Sequence, residues 1–169
     1  ASEFSNFAKM PETRLEQINL NEKIRQSIIL YRQSEHTTIN FESNSEHDVI
    51  INADRDQILR CFNNLIKNAI EARSGDRHCI IDILLYCKPG SVCVEIKDNG
   101  TGMSEELKRK IFTPNFTTKS SGTGLGLAFV KQAIENIGGN ITFETAPDIG
   151  TTFYIVIPVL ETLNQNSID

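Results

Sequence analysis

Two pairs of strand-like segments, each joined by a short turn, constrain the fold of this chain more than any other feature. Residues 80–86 and 91–97 flank a Lys-Pro-Gly turn, and residues 140–145 and 151–159 flank a turn that contains Pro147 and Asp148. Apolar segments on both sides of such turns predict antiparallel hairpins. Strands that come as hairpins, rather than in regular alternation with helices, disfavour a doubly wound dinucleotide-binding fold.

Amphipathic segments predict three helices that would cover this sheet. They span residues 21–33, about 54–72 and about 125–137, with Asn21 able to cap the first and the Gly138-Gly139 pair ending the last. Two short strands are predicted between the first two helices, at residues 38–42 and 49–52. We therefore predict an α+β fold, a two-layer α/β sandwich with a mixed, mostly antiparallel sheet and helices on one face.

Charge and cysteine content narrow the class of protein. The formal net charge of -5 over 169 residues argues against nucleic-acid binding, because no basic excess offsets phosphate repulsion. No apolar run approaches the ~18 residues of a membrane span, and no signal peptide is recognisable, so we expect a cytoplasmic domain, whether or not a longer parent is anchored in the inner membrane. No CxxC pair occurs, and we interpret the four cysteines as reduced core thiols: Cys61, Cys79, Cys87 and Cys93.

The helix predicted around residues 57–73 carries two asparagines on its polar side. Asn64 and Asn68 are one turn apart, so their amides project from neighbouring spots of one face. Asparagine is a mediocre helix former, and two explanations compete. The face is either simply solvated, or it presents an amide oxygen to a hard cation such as Mg²⁺.

Two glycine-rich segments flank a loop. Residues 98–103 follow a strand directly, and Asp98 can accept a hydrogen bond from an exocyclic amine such as that of adenine, although a plain turn explains the same sequence. Residues 121–127 lead into a helix whose free N–H groups suit phosphates, and the alternative is a plain glycine-rich cap. No Gly-Lys-Ser/Thr follows, so this is not a Walker A loop. The loop between them is either a lid, with Lys119 reaching the phosphates, or a surface loop anchored by phenylalanines.

These motifs, taken in order, resemble those of one family. Asn-Leu-Ile-Lys-Asn-Ala at 64–69 resembles an N box, and Asp-Asn-Gly-Thr-Gly at 98–102 resembles a G1 box. Ile-Phe-Thr-Pro-Asn-Phe at 111–116 resembles an F box, and Gly-Thr-Gly-Leu-Gly-Leu at 122–127 a G2 box. Gly-Thr-Thr-Phe at 150–153 is similar to the closing motif. The chain thus resembles the catalytic ATP-binding domain of bacterial two-component sensor histidine kinases, a GHKL ATPase-kinase with a Bergerat fold, and most of all the nitrogen-regulation NtrY type.

The resemblance implies a role for individual residues. Asp98 would recognise the adenine amine, Asn68 would coordinate Mg²⁺ together with the ATP phosphates, and Asn64 would support that site. The implied catalytic group is Asn64, Lys67 and Asn68. The implied ATP-binding residues, which include those of a flexible lid, are Asn64, Asn68, Asp98, Gly100, Gly102, Met103, Phe112, Phe116, Thr118, Lys119, Gly122, Thr123, Gly124, Leu125, Gly126, Leu127 and Thr152.

Two departures from the family pattern bear on the chemistry. Many sensor kinases have a basic residue and an aromatic residue shortly after the second N-box asparagine, where this chain has Glu71 and Ala72, and Arg73 or Lys119 would have to replace those contacts. Hydrolysing relatives have a glutamate in the place of Asn64. An amide cannot act as a base at neutral pH, so we expect slow hydrolysis.

The phosphate acceptor is expected on another domain. None of His36, His47 and His78 is followed by an acidic residue and a proline, as the family's acceptor histidine is. We therefore expect the chain to bind ATP and Mg²⁺ and to donate the γ-phosphoryl group to a histidine on a dimerisation (histidine-phosphotransfer) domain, for relay to a response regulator receiver domain. Two alternatives are a serine-directed kinase of the anti-sigma type with the same pocket and a degenerate nucleotide-binding scaffold.

The expected organisation has three parts. Residues 1–13 resemble the end of a dimerisation helix with its linker, residues 14–160 form the catalytic domain, and residues 161–169 are a polar tail. We expect the isolated domain to be a monomer and the full-length protein to be a homodimer.

Overall fold

The computed structural model describes residues 12–114 and 126–159. Seven strands lie in this part of the chain: β1 (Glu16–Asn19), β2 (Thr37–Ser43), β3 (Ile50–Ala53), β4 (Cys79–Lys88), β5 (Ser91–Asp98), β6 (Asn140–Ala146) and β7 (Gly150–Pro158). Four helices accompany them: α1 (Leu20–Tyr31), α2 (Arg55–Glu71), the short α3 (Glu105–Lys108) and α4 (Gly126–Asn136). The predicted helix end before Pro11, residues 115–125 of the predicted lid region and the predicted tail lie outside the described residues.

The main sheet is mixed and mostly antiparallel, as predicted. Its five strands are ordered β2-β4-β5-β7-β6, and only the β2–β4 pair is parallel. Both predicted hairpins are present, β4 with β5 and β6 with β7. A separate two-stranded sheet pairs β1 with β3. β5 is the central strand, so its end has a neighbouring strand on each side, β4 and β7.

The helices cover one face of this sheet. Along β4, Cys79, Ile81, Ile83 and Leu85 are buried, whereas Ile80 and Leu84 between them are exposed. The Cys79 thiol contacts the Ala69 carbonyl of α2, which shows that the buried side is the helix side. Phe62, Leu65 and Ile66 of α2 pack into the same core and are almost completely buried. The predicted two-layer arrangement is confirmed.

The prediction that Asn21 caps the first helix is wrong. Asn19 is the N-cap, and its Oδ1 accepts a hydrogen bond of 2.9 Å from the N–H of Glu22. Asn21 lies inside the helix, is 2% exposed, and accepts a hydrogen bond from the N–H of Val49. The helix starts earlier because the pairing of β1 with β3 ends at Asn19, opposite Ile50.

Asp54 caps α2 and connects it to the preceding segment. Its Oδ1 accepts from the N–H groups of Asp56 and Gln57, and its Oδ2 accepts from the N–H of Arg14. Partial burial acts to raise the pKa of Asp54, but the backbone N–H donors of Arg14, Gln57 and Asp56 outweigh it, and the pKa lies below its ordinary value. Gln57, predicted on the polar side of the helix, is buried, and its amide donates to the Thr13 hydroxyl.

The cysteine prediction holds for three of four positions. All four thiols are free, and Cys61, Cys79 and Cys93 are buried, but Cys87 is exposed near the end of β4. Burial raises the pKa of Cys61 to about 12. Among the described residues, no helix is both long and apolar enough to cross a bilayer.

Candidate active site

The Asp98 carboxylate is held at the end of β5 on the helix side of the sheet. The side chain is 6% exposed, and its Oδ1 accepts hydrogen bonds from the N–H of Gly100 at 2.9 Å and the N–H of Thr151 at 3.2 Å. One donor comes from the loop that follows β5, and the other comes from β7. These two backbone donors, from different segments of the chain, hold the carboxylate in one orientation. Asp98 is therefore a preorganised acceptor.

The loop after β5 interlocks with the turn between β6 and β7. The N–H of Asp148 donates to the carbonyl of Thr101 at 2.7 Å. A Cβ on Gly102 would lie 2.1 Å from the carbonyl oxygen of Ala146, and one on Gly150 would lie 2.0 Å from that of Asp98. No side chain fits at such distances, so the two predicted glycine motifs allow two backbone segments to touch beside Asp98.

The end of α2 contacts the same loop. The N–H of Thr101 donates to the carbonyl of Ala72 at 2.8 Å, and a Cβ on Gly100 would lie 2.3 Å from that oxygen. Asn68 lies one turn before Ala72, about 6 Å along the helix, so the contact fixes the distance between Asn68 and the loop that carries Gly100. Ala72, identified as a departure from the family pattern, is therefore packed against the loop.

One turn earlier, α2 contacts the start of α4. The Asn64 amide nitrogen donates to the carbonyl of Gly126 at 3.3 Å, and a Cβ on Gly126 would lie 3.7 Å from that amide. Arg60 lies over the Phe129 ring, with its guanidinium carbon 3.9 Å from the ring centroid. The polar strip of α2 therefore runs from the first described turn of α4 to the loop after Asp98, with Asn68 between them.

The amide side chains on this strip suit a magnesium ion. The carboxamide oxygen is a hard ligand, and Mg²⁺ takes few protein ligands because it keeps waters and phosphate oxygens. Within the described segments, no cluster of three or more His, Cys, Asp or Glu side chains is placed to bind a metal. Asn64 and Asn68 are half-buried on this strip, whereas Lys67 is exposed.

Thr152, predicted near the adenine end, lies on the opposite face of the sheet from Asp98, and its role in binding stays a prediction. Thr152 pairs with Lys97 and shares its face, whereas Asp98 points to the opposite face because side chains alternate along a strand. Thr151 contacts Asp98 through its N–H, and its hydroxyl is hydrogen-bonded to that of Thr145 at 2.8 Å. The sequence did contain a signal for Thr151. Side chains alternate along paired strands, so a strand that pairs Lys97 with Thr152 places Thr151 on the same face as Asp98.

The remaining described candidates contact β6 or the core. Met103 is half-buried, and its N–H donates to the Thr145 hydroxyl at 3.0 Å. Phe112 packs edge-on against Phe143 of β6, with ring centroids 5.8 Å apart, and Leu127 packs against the core. Phe112 therefore anchors its segment to the sheet. Seven predicted ATP-binding residues lie outside the described residues: Phe116, Thr118, Lys119, Gly122, Thr123, Gly124 and Leu125.

Sequence reasoning missed the side chains that support Asp98 from behind. The amide of Asn99 donates to the carbonyl of His78 at 3.0 Å and accepts from the N–H of Ile80 at 2.9 Å. Arg77 donates to two further backbone carbonyls near Asp98. Asn99 lay within a recognised motif, but the sequence offered no signal for Arg77, which lies in a polar turn 21 positions before Asp98.

Comparisons with known proteins identify the family of the chain. Residues 53–161 match the family described as histidine kinase-, DNA gyrase B-, and HSP90-like ATPase. The signal transduction histidine-protein kinase AtoS of Escherichia coli K12 is 32% identical over 161 residues, which are 94% of this chain and 26% of AtoS. The nitrogen regulation protein NtrY of Azorhizobium caulinodans is 33% identical over 154 residues, covering 86% of this chain and 20% of NtrY. The chain thus spans about a quarter or less of these two relatives.

Solved structures show the same fold. The catalytic domain of histidine kinase ThkA, in a nucleotide-free form, superposes with a TM-score of 0.76 at 37% identity, covering 86% of this chain and 96% of that domain. A structure of ThkA in complex with the response regulator protein TrrA gives a TM-score of 0.77 at 32% identity, covering 95% of this chain and 46% of that one. AtoS and NtrY are similar to this chain to about the same degree, so the narrower NtrY-type assignment stays a prediction.

Proposed function

The chain belongs to the family of histidine kinase-, DNA gyrase B- and HSP90-like ATPases, and from this premise we propose that it binds Mg-ATP and donates the γ-phosphoryl group to a histidine on a separate dimerisation domain. The observation that carries the proposal is the Asp98 carboxylate, buried and oriented by the N–H groups of Gly100 and Thr151. An acceptor held in this way suits the exocyclic amine of adenine. The oxygen at the same place in guanine would face it unfavourably.

The asparagines of α2 support the phosphate end of the proposal. Asn68 would hold the metal through its amide oxygen, and Asn64 would keep α2 against Gly126 at the start of α4. Bound Mg²⁺ would offset phosphate charge during in-line displacement. The N-terminal end of a helix favours anions, and α4 begins at Gly126, beside Asn64.

The side chain at position 64 bears on whether water or a histidine accepts the γ-phosphoryl group. A water molecule attacks phosphorus efficiently only when a base accepts its proton, and the Asn64 amide has no basicity at neutral pH. The γ-phosphoryl group is therefore kept for a stronger nucleophile. A neutral imidazole attacks through its own lone pair, so transfer to histidine does not need the missing base.

The partners proposed are a dimerisation domain that carries the acceptor histidine and, downstream, a response regulator receiver domain. The likeness to ThkA, which forms a complex with a response regulator protein, supports the second partner. His36, His47 and His78 are all exposed, and none lies in the Asp98 region except His78, whose carbonyl accepts from Asn99 and whose ring bonds to Thr38. We expect little self-phosphorylation.

The experiment is phosphotransfer between separated domains. The chain is mixed with γ-labelled ATP, Mg²⁺ and the dimerisation domain of its own parent protein, and acid-labile label is measured on each component. Label on the added domain, absent without Mg²⁺, supports the proposal; robust label on the chain itself, or tight ATP binding without any transfer, contradicts it.

Asn68→Ala provides the site-specific arm of this experiment. It should abolish the Mg²⁺-dependent part of ATP binding and of phosphotransfer. Asn40→Ala is the matched control, because Asn40 lies on the edge strand β2 and bonds to Asp82 on the sheet, remote from α2. Equal loss in both variants would show a general destabilisation and would count against the role of Asn68.

A further inference from the structure

Arg77 lies in the turn between α2 and β4 and bridges two backbone segments next to Asp98. Its Nη1 donates to the carbonyl of Asn99 at 2.9 Å and to the carbonyl of Asp148 at 3.1 Å. Asn99 precedes Gly100, and Asp148 lies three residues before Thr151. Both N–H groups that orient the Asp98 carboxylate therefore belong to segments that a single guanidinium nitrogen holds together.

The main chain of Arg77 is itself held in place by two hydrogen bonds. Its N–H donates to the carbonyl of Ser74 at 2.9 Å, and its carbonyl accepts from Nε of Arg73 at 2.9 Å. A side chain that starts from a fixed backbone loses less freedom on bridging two carbonyls than one on a loose loop. Hydrogen bonds from a charged donor are also stronger than those between neutral groups.

One of the two bridged segments, the turn between β6 and β7, has an unfavourable backbone conformation. Asp148 is in the left-handed region at φ 64°, and Gly150 follows at φ 141°, so the turn between β6 and β7 has an unfavourable backbone at Asp148. Its bond to Thr101 and the Arg77 bridge hold that turn against the loop after β5. Loss of the two Arg77 hydrogen bonds should therefore increase the mobility of both N–H groups, of Gly100 and Thr151, that donate to Asp98.

We propose that Arg77 is a positioning residue for the nucleotide base: it fixes the two backbone donors that aim the Asp98 carboxylate, and so it sets affinity for adenine over guanine nucleotides. This inference rests on the proposed ATP-binding function. Arg77 acts through Asp98 and touches no reacting atom.

The variant Arg77→Met removes both donated bonds and keeps most of the aliphatic length. We expect its affinity for a nonhydrolysable ATP analogue to fall about tenfold. A change of this size corresponds to the free energy of about one hydrogen bond to a charged group. The preference for the ATP analogue over the GTP analogue should fall with it. Amide hydrogen exchange in the nucleotide-free chain should quicken about tenfold at Gly100 and Thr151, while core amides of β4 stay protected.

The matched control is Arg55→Met. Arg55 is also an exposed arginine that makes two side-chain hydrogen bonds, through Nε and Nη2 to Glu16, but it lies at the opposite end of α2 from Ala72. Its variant should leave nucleotide affinity, base preference and exchange at Gly100 unchanged. If Arg77→Met does not fold, Arg77→Lys is measured by the same criteria, because it shortens the reach to the two carbonyls without removing the charge.

The outcomes separate the two levels of inference. Wild-type affinity in the Arg77 variant overturns the inference, and so does a loss of affinity with unchanged base preference and unchanged exchange at Gly100 and Thr151. Failure of the unmodified chain to bind the ATP analogue overturns the proposed function instead, and the exchange measurement then still decides whether Arg77 positions the donors.

Discussion

Replacing Asp98 with asparagine and with alanine separates its two roles in the structure. As an acceptor, the carboxylate satisfies the buried N–H groups of Gly100 and Thr151. As a binding group, it is proposed to accept from the adenine amine. Asp98→Asn keeps one oxygen that can accept from both backbone donors, whereas Asp98→Ala removes every acceptor.

The magnitudes follow from this difference. In Asp98→Asn, two charge-assisted hydrogen bonds become neutral ones, which should lower the free energy of unfolding by at most about 2 kcal/mol. In Asp98→Ala, two buried donors lose their acceptor at about 1–3 kcal/mol each, or about 2–6 kcal/mol in all. Nucleotide affinity should fall about tenfold to a hundredfold already in Asp98→Asn, because an NH₂ group that cannot accept replaces one carboxylate oxygen.

The assays are urea unfolding and calorimetry with a nonhydrolysable ATP analogue. Asp82→Asn is the control, because Asp82 is an exposed aspartate on the open face of the same sheet and bonds to Asn40. The reasoning is refuted if Asp98→Ala is as stable as Asp98→Asn, or if Asp98→Asn binds the analogue as tightly as the unmodified chain.

Three further predictions concern backbone space, thiol exposure and a helix cap. Gly150→Ala, whose Cβ would lie 2.0 Å from the Asp98 carbonyl oxygen, should cost more than about 2 kcal/mol of unfolding free energy, whereas Gly75→Ala, also at positive φ but with no atom within 4 Å, should cost about 1 kcal/mol; similar costs in chemical denaturation would contradict this. A thiol reagent should label Cys87 rapidly and the three buried thiols only on unfolding, and mass spectrometry of the labelled protein would reveal any early second adduct that speaks against it. Asp54→Ala should cost about 1 kcal/mol at pH 7. Because the folded pKa of Asp54 is depressed, its charge stabilises the fold above the unfolded value of about 3.9 and ceases to do so as the pH falls through the folded pKa, so the difference from the unmodified chain should narrow in acid; a gap constant with pH would argue against the carboxylate.

Local periodicity was sufficient to predict the elements and the layer order. The apolar stripe of α2, with Phe62, Leu65 and Ile66, and the alternation along β4 each depend on only a few neighbouring residues, so a sequence window contains them. Turn chemistry identified both hairpins. Errors occurred where partners are distant in sequence, as at Asn21, whose buried amide satisfies the N–H of Val49.

The residues of the candidate site likewise divide into those that local motifs identify and those that only distant contacts bring together. Asp98, Asn64 and Asn68 were identified from motifs whose residues lie close together in sequence, and the order of those motifs indicated the family. The contacts that orient the Asp98 carboxylate could not be identified from such local motifs. Thr151 lies 53 positions away in sequence and reaches Asp98 only through the pairing of β5 with β7.

What the sequence determined by itself was therefore the set of elements, the two-layer class and the identity of the polar groups that we propose for nucleotide binding. What only the tertiary structure decided was which face each group occupies and what holds it there: Thr151 rather than Thr152 beside Asp98, and Arg77 behind both. The physical reason is that side-chain chemistry and periodicity are local properties, whereas a hydrogen bond between two loops exists only after the sheet has brought them within about 3 Å of each other.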